Sequence, residues 1–123
     1  MTRDFLTISD LSREELFGVL DRADELKALR GTPAHPQPLN GKSVAVVFEK
    51  ASTRTRLSFE VGIYELGAQP VTLNSKDTQL GRGEPIEDTA RMLSRYVHGV
   101  VYRTFGHDRL EALARYSTGS IIK

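Results

Sequence analysis

The chain has 123 residues, which is long enough for one domain with a buried core. Its 17 basic and 16 acidic residues leave a formal charge of +1, so net charge favours neither nucleic acid nor an anionic membrane as a partner. The lack of cysteine excludes disulfides, thiolate metal sites and cysteine nucleophiles. No run approaches the roughly 18 apolar residues of a membrane helix, and no secretory signal is apparent, so we expect a cytoplasmic location.

The first third of the chain predicts one amphipathic helix followed by a surface connection. Apolar residues recur at helical spacing over residues 16–26. Ser12 and Glu15 form a capping-box pattern ahead of this stretch, and Gly31 suits the end of the helix. Three prolines within residues 32–40 predict a segment on the surface.

The rest of the chain alternates predicted strands with predicted helices. Strands are predicted at residues 43–48, 70–73, 99–103 and from 120, and helices at residues 53–66, 85–97 and 107–116. The first strand has no polar alternation, which is typical of a strand covered on both faces. The pattern predicts an α/β fold, a three-layer α/β/α domain with a short parallel sheet of about four strands and right-handed crossover helices.

Open parallel sheets bind ligands where their strands end at the carboxyl edge. That rule indicates residues 49–56, 74–84 and 103–107 as the places to look for a site. The first of these carries the most informative residues.

Residues 52–56 read Ser-Thr-Arg-Thr-Arg at the predicted start of a helix. If Ser52 is the N-cap, the next three backbone N–H groups point outward at a helix end that attracts anions. Arg54 and Arg56 can each donate two hydrogen bonds to phosphate or carboxylate oxygens. Because the helix dipole disfavours cations at this end, the two arginines favour a bound anion. The alternative is an ordinary cap with two solvated arginines.

The other edge segments are less specific on their residues alone. Residues 75–84 lack the six-residue glycine spacing of a dinucleotide site and favour a solvent-exposed loop. Arg103 ends the third predicted strand, where it either meets charge at the ligand edge or extends into solvent. We predict no metal, because the histidines share no metal-ligand spacing: His35, His98 and His107. We also predict no cofactor.

The segment FEKASTRTRLSFE, residues 48–60, resembles the carbamoyl phosphate signature of the aspartate and ornithine carbamoyltransferases. The resemblance implies that Arg56 is more a structural partner than a ligand. It implies that four residues hold carbamoyl phosphate: Ser52, Thr53, Arg54 and Thr55.

Two further segments extend the resemblance. QLGRGEPI, residues 79–86, resembles the ornithine branch, where this glutamine contacts carbamoyl phosphate in the neighbouring subunit. Gln79 would then act in trans within a homotrimer or a multiple of trimers. Arg103 corresponds to an arginine that reaches carbamoyl phosphate in the family.

The reaction that the resemblance implies is attack of the ornithine δ-amino group on the carbamoyl carbon, which expels phosphate and yields citrulline. Arg54, Arg103 and Thr55 are then expected to polarise the carbonyl and stabilise the leaving phosphate. Fixed donors of this kind are commonly worth about 3–4 kcal/mol each. No protein nucleophile is required, because the amine attacks directly.

We expect residues 1–123 to be one carbamoyl-phosphate-binding domain that is inactive alone, without the ornithine-binding domain. The resemblance covers roughly residues 1–117, and residues 118–123 depart from the family pattern. Two alternatives stay open: part of an aspartate or other amine carbamoyltransferase, and a non-catalytic module for phosphate binding or oligomerisation.

Overall fold

The computed structural model describes residues 3–49, 52–74, 83–104 and 106–123. The helices are α1 (Arg13–Leu29), α2 (Thr53–Glu65), α3 (Ile86–Tyr96) and α4 (His107–Tyr116), and the strands are β1 (Ser43–Phe48), β2 (Gln69–Asn74), β3 (Gly99–Arg103) and β4 (Ser120–Ile122). The predicted bounds agree with these to about one residue at each end. None of the helices in the described ranges is long and apolar enough to cross a bilayer.

The strands form one parallel sheet in the order β2-β1-β3-β4. β1 pairs with β2 on one side and β3 on the other, and β3 pairs with β4. Each parallel connection requires a crossover, which the helices between the strands supply. The predicted α/β fold with a four-stranded parallel sheet is therefore confirmed.

Helices cover both faces of the sheet. One buried cluster joins β1, β3 and β4 to α3 and α4: Ala45, Val47, Val100, Tyr102, Ile121, Ala90, Leu93, Leu110 and Leu113. A second cluster lies on the opposite face, against α2: Val46, Phe48, Val101, Ile63 and Ala68. Successive side chains of a strand point to opposite faces, so a strand that is apolar throughout fits a sheet with helices on both sides.

The end of α2 is closed by a Schellman motif. Gly67 N–H donates to the Tyr64 carbonyl and Ala68 N–H to the Ile63 carbonyl, both at 3.0 Å. Gly67 has a φ of +98°, and a Cβ there would lie 3.1 Å from the Asn40 backbone. Glycine is therefore strongly favoured at this position, because the backbone combines a left-handed conformation with a close approach to another segment.

Helix α1 begins as predicted but does not bury its apolar residues. The Ser12 hydroxyl accepts from Glu15 N–H at 3.1 Å, and the Glu15 carboxylate accepts from Ser12 N–H at 2.9 Å. No residue of α1 is buried, and three large apolar side chains are more than half exposed: Phe17 at 53%, Val19 at 56% and Leu20 at 59%. Helical periodicity thus identified the helix without revealing what covers its apolar face.

The capping box predicts a pH-dependent stability. The Arg3 guanidinium, 3.0 Å from Glu15 Oε1, and then the Ser12 N–H lower the pKa of Glu15 from 4.5 to about 2. A carboxyl with a lowered pKa stabilises the fold above its ordinary pKa, and this contribution is lost as the pH falls through the folded value. We expect Glu15→Gln to lower the thermal unfolding midpoint near neutral pH, and the difference from the unaltered chain to vanish as the pH falls from 4.5 to about 2.

Thermal unfolding followed by circular dichroism across this pH range measures the effect. Glu14→Gln is the matched control, because it removes an acidic side chain from the same helical turn without breaking the capping box. A Glu15→Gln deficit of equal size at both ends of the range would contradict the assignment.

Candidate functional site

The carboxyl ends of β1 and β3 lie side by side. Phe48 is the register partner of Arg103, and Glu49 N–H donates to the Arg103 carbonyl at 2.8 Å. The segments that follow these two strands therefore share one edge of the sheet, as the sequence predicted. The loop after β2 includes Gln79, which lies outside the described residues.

The N-terminus of α2 opens onto this edge. Ser52 is the N-cap residue, with φ −159° and ψ 102°, but its side chain makes no capping hydrogen bond to the backbone. Its hydroxyl donates to Thr55 Oγ1 at 3.0 Å instead. The first backbone N–H groups of an α-helix have no acceptor within the helix. The first turn of α2 therefore presents donors, at the positive end of the helix dipole, that Ser52 does not occupy.

Arg103 reaches from the end of β3 to this turn. Its Nη1 donates to Thr55 Oγ1 at 3.3 Å, which joins residues that are 48 positions apart in sequence. Ser52, Thr55 and Arg103 thus form a continuous chain of polar groups. Thr55 and Arg103 border a pocket of about 410 Å³, whose lining also includes Phe48, Phe59, Thr104 and Lys123.

A neighbouring pocket of about 340 Å³ lies between α2 and β2, and Ser52, Thr53 and Arg56 contribute to its lining. Arg56 Nε donates to Glu60 Oε1 at 3.1 Å, and the Thr72 hydroxyl donates to the same oxygen. The hydrogen bond from Thr72 and that from Arg56 lower the pKa of Glu60. Arg56 is therefore neutralised by a carboxylate of its own helix.

The predicted site residues are brought together to different degrees. Thr55 and Arg103 are in direct contact, and Ser52 is linked to them through Thr55. Thr53 and Arg54 are exposed on the first turn of α2, and Arg54 lines neither of the two pockets. The Arg54 side chain is therefore exposed to solvent beside this turn.

The structure adds a buried carboxylate that sequence reasoning did not single out. Glu49, with only 7% of its side chain exposed, accepts from Tyr102 Oη at 2.6 Å and Arg109 Nε at 2.8 Å through Oε1. Its Oε2 accepts from Thr104 Oγ1 at 2.8 Å. A buried charge is tolerated when it is paired and hydrogen-bonded, and Arg109 and the two hydroxyls meet that requirement.

Electrostatics keep these donors protonated. Burial raises the pKa of Tyr102, and the hydrogen bond to Glu49 raises it further. Burial lowers the pKa of Arg109, but the hydrogen bond to Tyr102 and the charge of Glu49 outweigh that effect and raise it overall. A glutamate ending an apolar strand is the one signal in the sequence that pointed to this cluster. Nothing local connects Glu49 with partners 53 to 60 positions later.

A larger cavity of about 910 Å³ lies at the opposite edge, where the strands begin, and its lining includes Asn40, Lys42, Ser43, Gly67 and Gln69. It contains none of the predicted site residues, and parallel sheets bind ligands at the other edge. The geometry therefore favours the smaller pocket beside Thr55 and Arg103.

Comparison with known proteins identifies the family of this chain. Residues 3–123 match the family model for the aspartate/ornithine carbamoyltransferase carbamoyl-P binding domain. The chain belongs to this family. Within the segment of residues 48–60, Phe48 ends β1 and residues 53–60 form the first turns of α2.

Individual carbamoyltransferases agree with the family match. The ornithine carbamoyltransferase of Acidothermus cellulolyticus is 59% identical over 123 residues, which are 99% of this chain and 38% of that protein. The crystal structure of anabolic ornithine carbamoyltransferase from Campylobacter jejuni is similar with a TM-score of 0.89 and 42% identity, covering 100% of this chain and 39% of that one.

The aspartate branch shares the fold. The catalytic subunit of M. jannaschii aspartate transcarbamoylase has a TM-score of 0.87 and 32% identity over 98% of this chain and 40% of that one. The fold therefore does not separate the two branches, whereas sequence identity is higher to the ornithine enzymes. This chain spans about two fifths of the length of these relatives.

The cluster around Glu49 predicts a measurable contribution to stability. Tyr102→Phe removes one donor to the buried carboxylate while keeping the ring in the core, so we expect the free energy of unfolding to fall by about 1–3 kcal/mol. Urea unfolding monitored by circular dichroism measures this free energy for the variant and the unaltered chain.

Tyr64→Phe is the control, because the Tyr64 side chain is 72% exposed and the change should stay within about 0.5 kcal/mol. Equal free energies of unfolding for the two variants would show that the Tyr102 hydroxyl contributes nothing.

Proposed function

We propose that this chain binds carbamoyl phosphate at the carboxyl edge of β1 and β3, as the carbamoyl-phosphate-binding part of an ornithine carbamoyltransferase. The observation that carries the proposal is the hydrogen bond from Arg103 to Thr55, which joins a guanidinium to the first turn of α2 in a chain of this family. Among the described residues, those proposed to bind carbamoyl phosphate are Ser52, Thr53, Arg54, Thr55 and Arg103.

The chemistry of the site supports an anionic ligand. The first turn of α2 contributes unsatisfied N–H donors and a partial positive charge, and the Thr55 hydroxyl, which accepts from Ser52, adds a neutral donor. Arg103 adds a charge-assisted donor from the other side of the pocket. A phosphate group placed here meets donors from two elements of the fold.

The proposed reaction joins carbamoyl phosphate to ornithine. The δ-amino nitrogen attacks the carbamoyl carbon, the bond from that carbon to the phosphate oxygen breaks, and the amine proton passes to the departing phosphate. Negative charge develops on the carbonyl oxygen and on the leaving group. Arg54, Arg103 and Thr55 are proposed to stabilise both, because preorganised donors act most strongly where charge develops in the transition state.

We assign ornithine rather than aspartate as the second substrate because of sequence identity: 59% to the Acidothermus ornithine enzyme against 32% to the M. jannaschii aspartate enzyme. The QLGRGEPI segment supports the same choice. The remaining alternative within the family is a carbamoyltransferase for aspartate or another amine.

Assembly and turnover are further parts of the proposal. We propose a homotrimer or multiple of trimers in which Gln79 contacts the carbamoyl phosphate of a neighbouring subunit, and the support for this is the ornithine-branch resemblance of residues 79–86. We also propose that turnover requires a further part of the enzyme, corresponding to the portion of the Acidothermus relative that this chain does not span, since the chain covers 38% of that protein. A two-substrate site must close around both ligands to exclude water. A cytoplasmic location stays a prediction from the sequence.

Arg54→Ala tests the phosphate site. We expect affinity for carbamoyl phosphate to fall by about tenfold to a hundredfold, because one charge-assisted donor is lost. Isothermal titration of the 123-residue chain with carbamoyl phosphate, and separately with inorganic phosphate, measures the change. Inorganic phosphate alone isolates the contribution of the phosphate group.

Arg22→Ala is the matched control, because it removes an exposed arginine that pairs with Glu25 on α1, outside the site. Equal affinity of the Arg54→Ala and unaltered chains would refute the proposed site. Heat with phosphate but none with carbamoyl phosphate would favour the alternative of a non-catalytic phosphate-binding module.

A chimera tests the reaction. We expect no citrulline from the 123-residue chain with carbamoyl phosphate and ornithine, and citrulline once the chain is joined to the C-terminal part of the Acidothermus enzyme that it does not span. A colorimetric citrulline assay measures the product. The intact Acidothermus enzyme is the positive control, and the chimera with Arg54→Ala is the negative one.

A folded chimera that binds carbamoyl phosphate but makes no citrulline would contradict the proposal that this carbamoyl phosphate site supports transfer to ornithine. Citrulline from the unextended chain would instead contradict the proposal that turnover needs the rest of the enzyme.

A further inference from the structure

Arg103 is flanked by two residues that are tied to one carboxylate. Tyr102 and Thr104 precede and follow Arg103, and they donate to Oε1 and Oε2 of Glu49 at 2.6 Å and 2.8 Å. Side chains alternate along a strand, so Tyr102 lies on the α3/α4 side while Arg103 extends to the α2 side and contacts Thr55.

The same residue also holds the backbone of Arg103. Glu49 N–H donates to the Arg103 carbonyl at 2.8 Å, so Glu49 contacts Arg103 and both of its neighbours. Glu49 directly follows β1 and lies three positions before Ser52, the N-cap of α2. One residue is thus connected to both sides of the proposed phosphate pocket.

The fourth member of the cluster is Arg109 on α4. Its Nε lies 2.8 Å from Glu49 Oε1, and it pairs a carboxylate that is only 7% exposed. Removing such a partner leaves a buried carboxylate poorly compensated, so Arg109 holds the Glu49 side chain in place. α4 is thereby connected to the edge on which Arg103 lies.

The side chain of Arg103 needs neighbouring residues to hold it in one geometry. It is an exposed residue with a long side chain, and its described contact in the pocket is a single 3.3 Å hydrogen bond to Thr55. Long side chains lose considerable rotamer freedom when they are held in one geometry. A donor that is held in advance binds its ligand more tightly than one that must be ordered during binding.

We propose that Glu49, Tyr102, Thr104 and Arg109 form a positioning cluster that holds Arg103 close to the first turn of α2. Phosphate then binds between Arg103 and that turn. This inference rests on the proposed function, since it assigns the cluster to the same carbamoyl phosphate site. The four are positioning residues, because they act on the ligand through Arg103.

A double-mutant cycle separates positioning from simple stabilisation of the fold. Thr104→Val and Glu49→Gln each remove one element of the cluster with little change in volume. We expect each to weaken phosphate affinity about tenfold in the unaltered chain, and by less than about twofold in a chain that carries Arg103→Ala. Interacting residues give such non-additive effects, whereas independent ones add.

Two measurements make the cycle decisive. Inorganic phosphate is titrated to tens of millimolar by ¹⁵N NMR, so that weak binding by the Arg103→Ala chains is still measured. In the unaltered chain, phosphate should shift the Arg103 Nε–H signal and the Thr55 amide. In Thr104→Val, the Thr55 amide should still shift while the Arg103 response is reduced. If the Glu49→Gln variant does not fold, the double-mutant cycle is completed with Thr104→Val alone.

Val100→Ala is the matched control for stability. Val100 lies on the same strand and sheet face as Tyr102 and is 3% exposed, so the variant loses core packing without touching the carboxylate cluster. It should lower the unfolding midpoint and leave phosphate affinity unchanged.

The possible failures are distinguishable. Additive losses in the two backgrounds, or unchanged phosphate affinity in both Thr104→Val and Glu49→Gln, would overturn the positioning role and leave the proposed function standing. No binding of phosphate or carbamoyl phosphate by the unaltered chain would overturn the proposed function and the positioning role together.

Discussion

Parallel pairing of β1 with both β2 and β3 is the constraint on which the rest of the structure depends. Strands that run in the same direction end at the same edge, so the polar residues after β1 and β3 meet although they are far apart in sequence. The same pairing requires helices to cross between strands, which places the N-terminus of α2 directly at that edge. The contact between Thr55 and Arg103 follows from these two requirements.

Charge is distributed at this edge in a way that leaves room for an anion. Glu49 pairs with Arg109 and Glu60 pairs with Arg56, so two carboxylates near the site are already matched by guanidinium groups. Arg103, by contrast, takes part in no ion pair with the residues that the structure describes, and it donates to a neutral hydroxyl. Together with the positive end of α2, this favours a negatively charged ligand beside Thr55.

The helices differ in what their apolar side chains contact. α3 and α4 bury Leu93, Leu110 and Leu113 against the sheet, whereas α1 buries none of its residues. Helical spacing nevertheless indicated a helix correctly in each of these segments. Periodicity reports which side chains share a face, and the neighbours of that face depend on distant parts of the chain.

The sequence by itself determined the order and bounds of the strands and helices, the α/β class and the position of the Ser-Thr-Arg-Thr-Arg segment, residues 52–56, at the start of α2. These features follow from local physics: side-chain period, capping residues such as Ser12, and a glycine with positive φ at residue 67.

Only the tertiary structure decided that Arg103 contacts Thr55, that Arg56 is neutralised by Glu60, and that Glu49 is buried with Arg109. The first and last of these contacts join residues 48 and 60 positions apart. The pairing of Arg56 with Glu60 is local, but many helical surfaces offer such pairs and the sequence does not say which form. The distant contacts exist because β1 lies between β2 and β3, and an alternation of strands and helices along the chain does not specify that order.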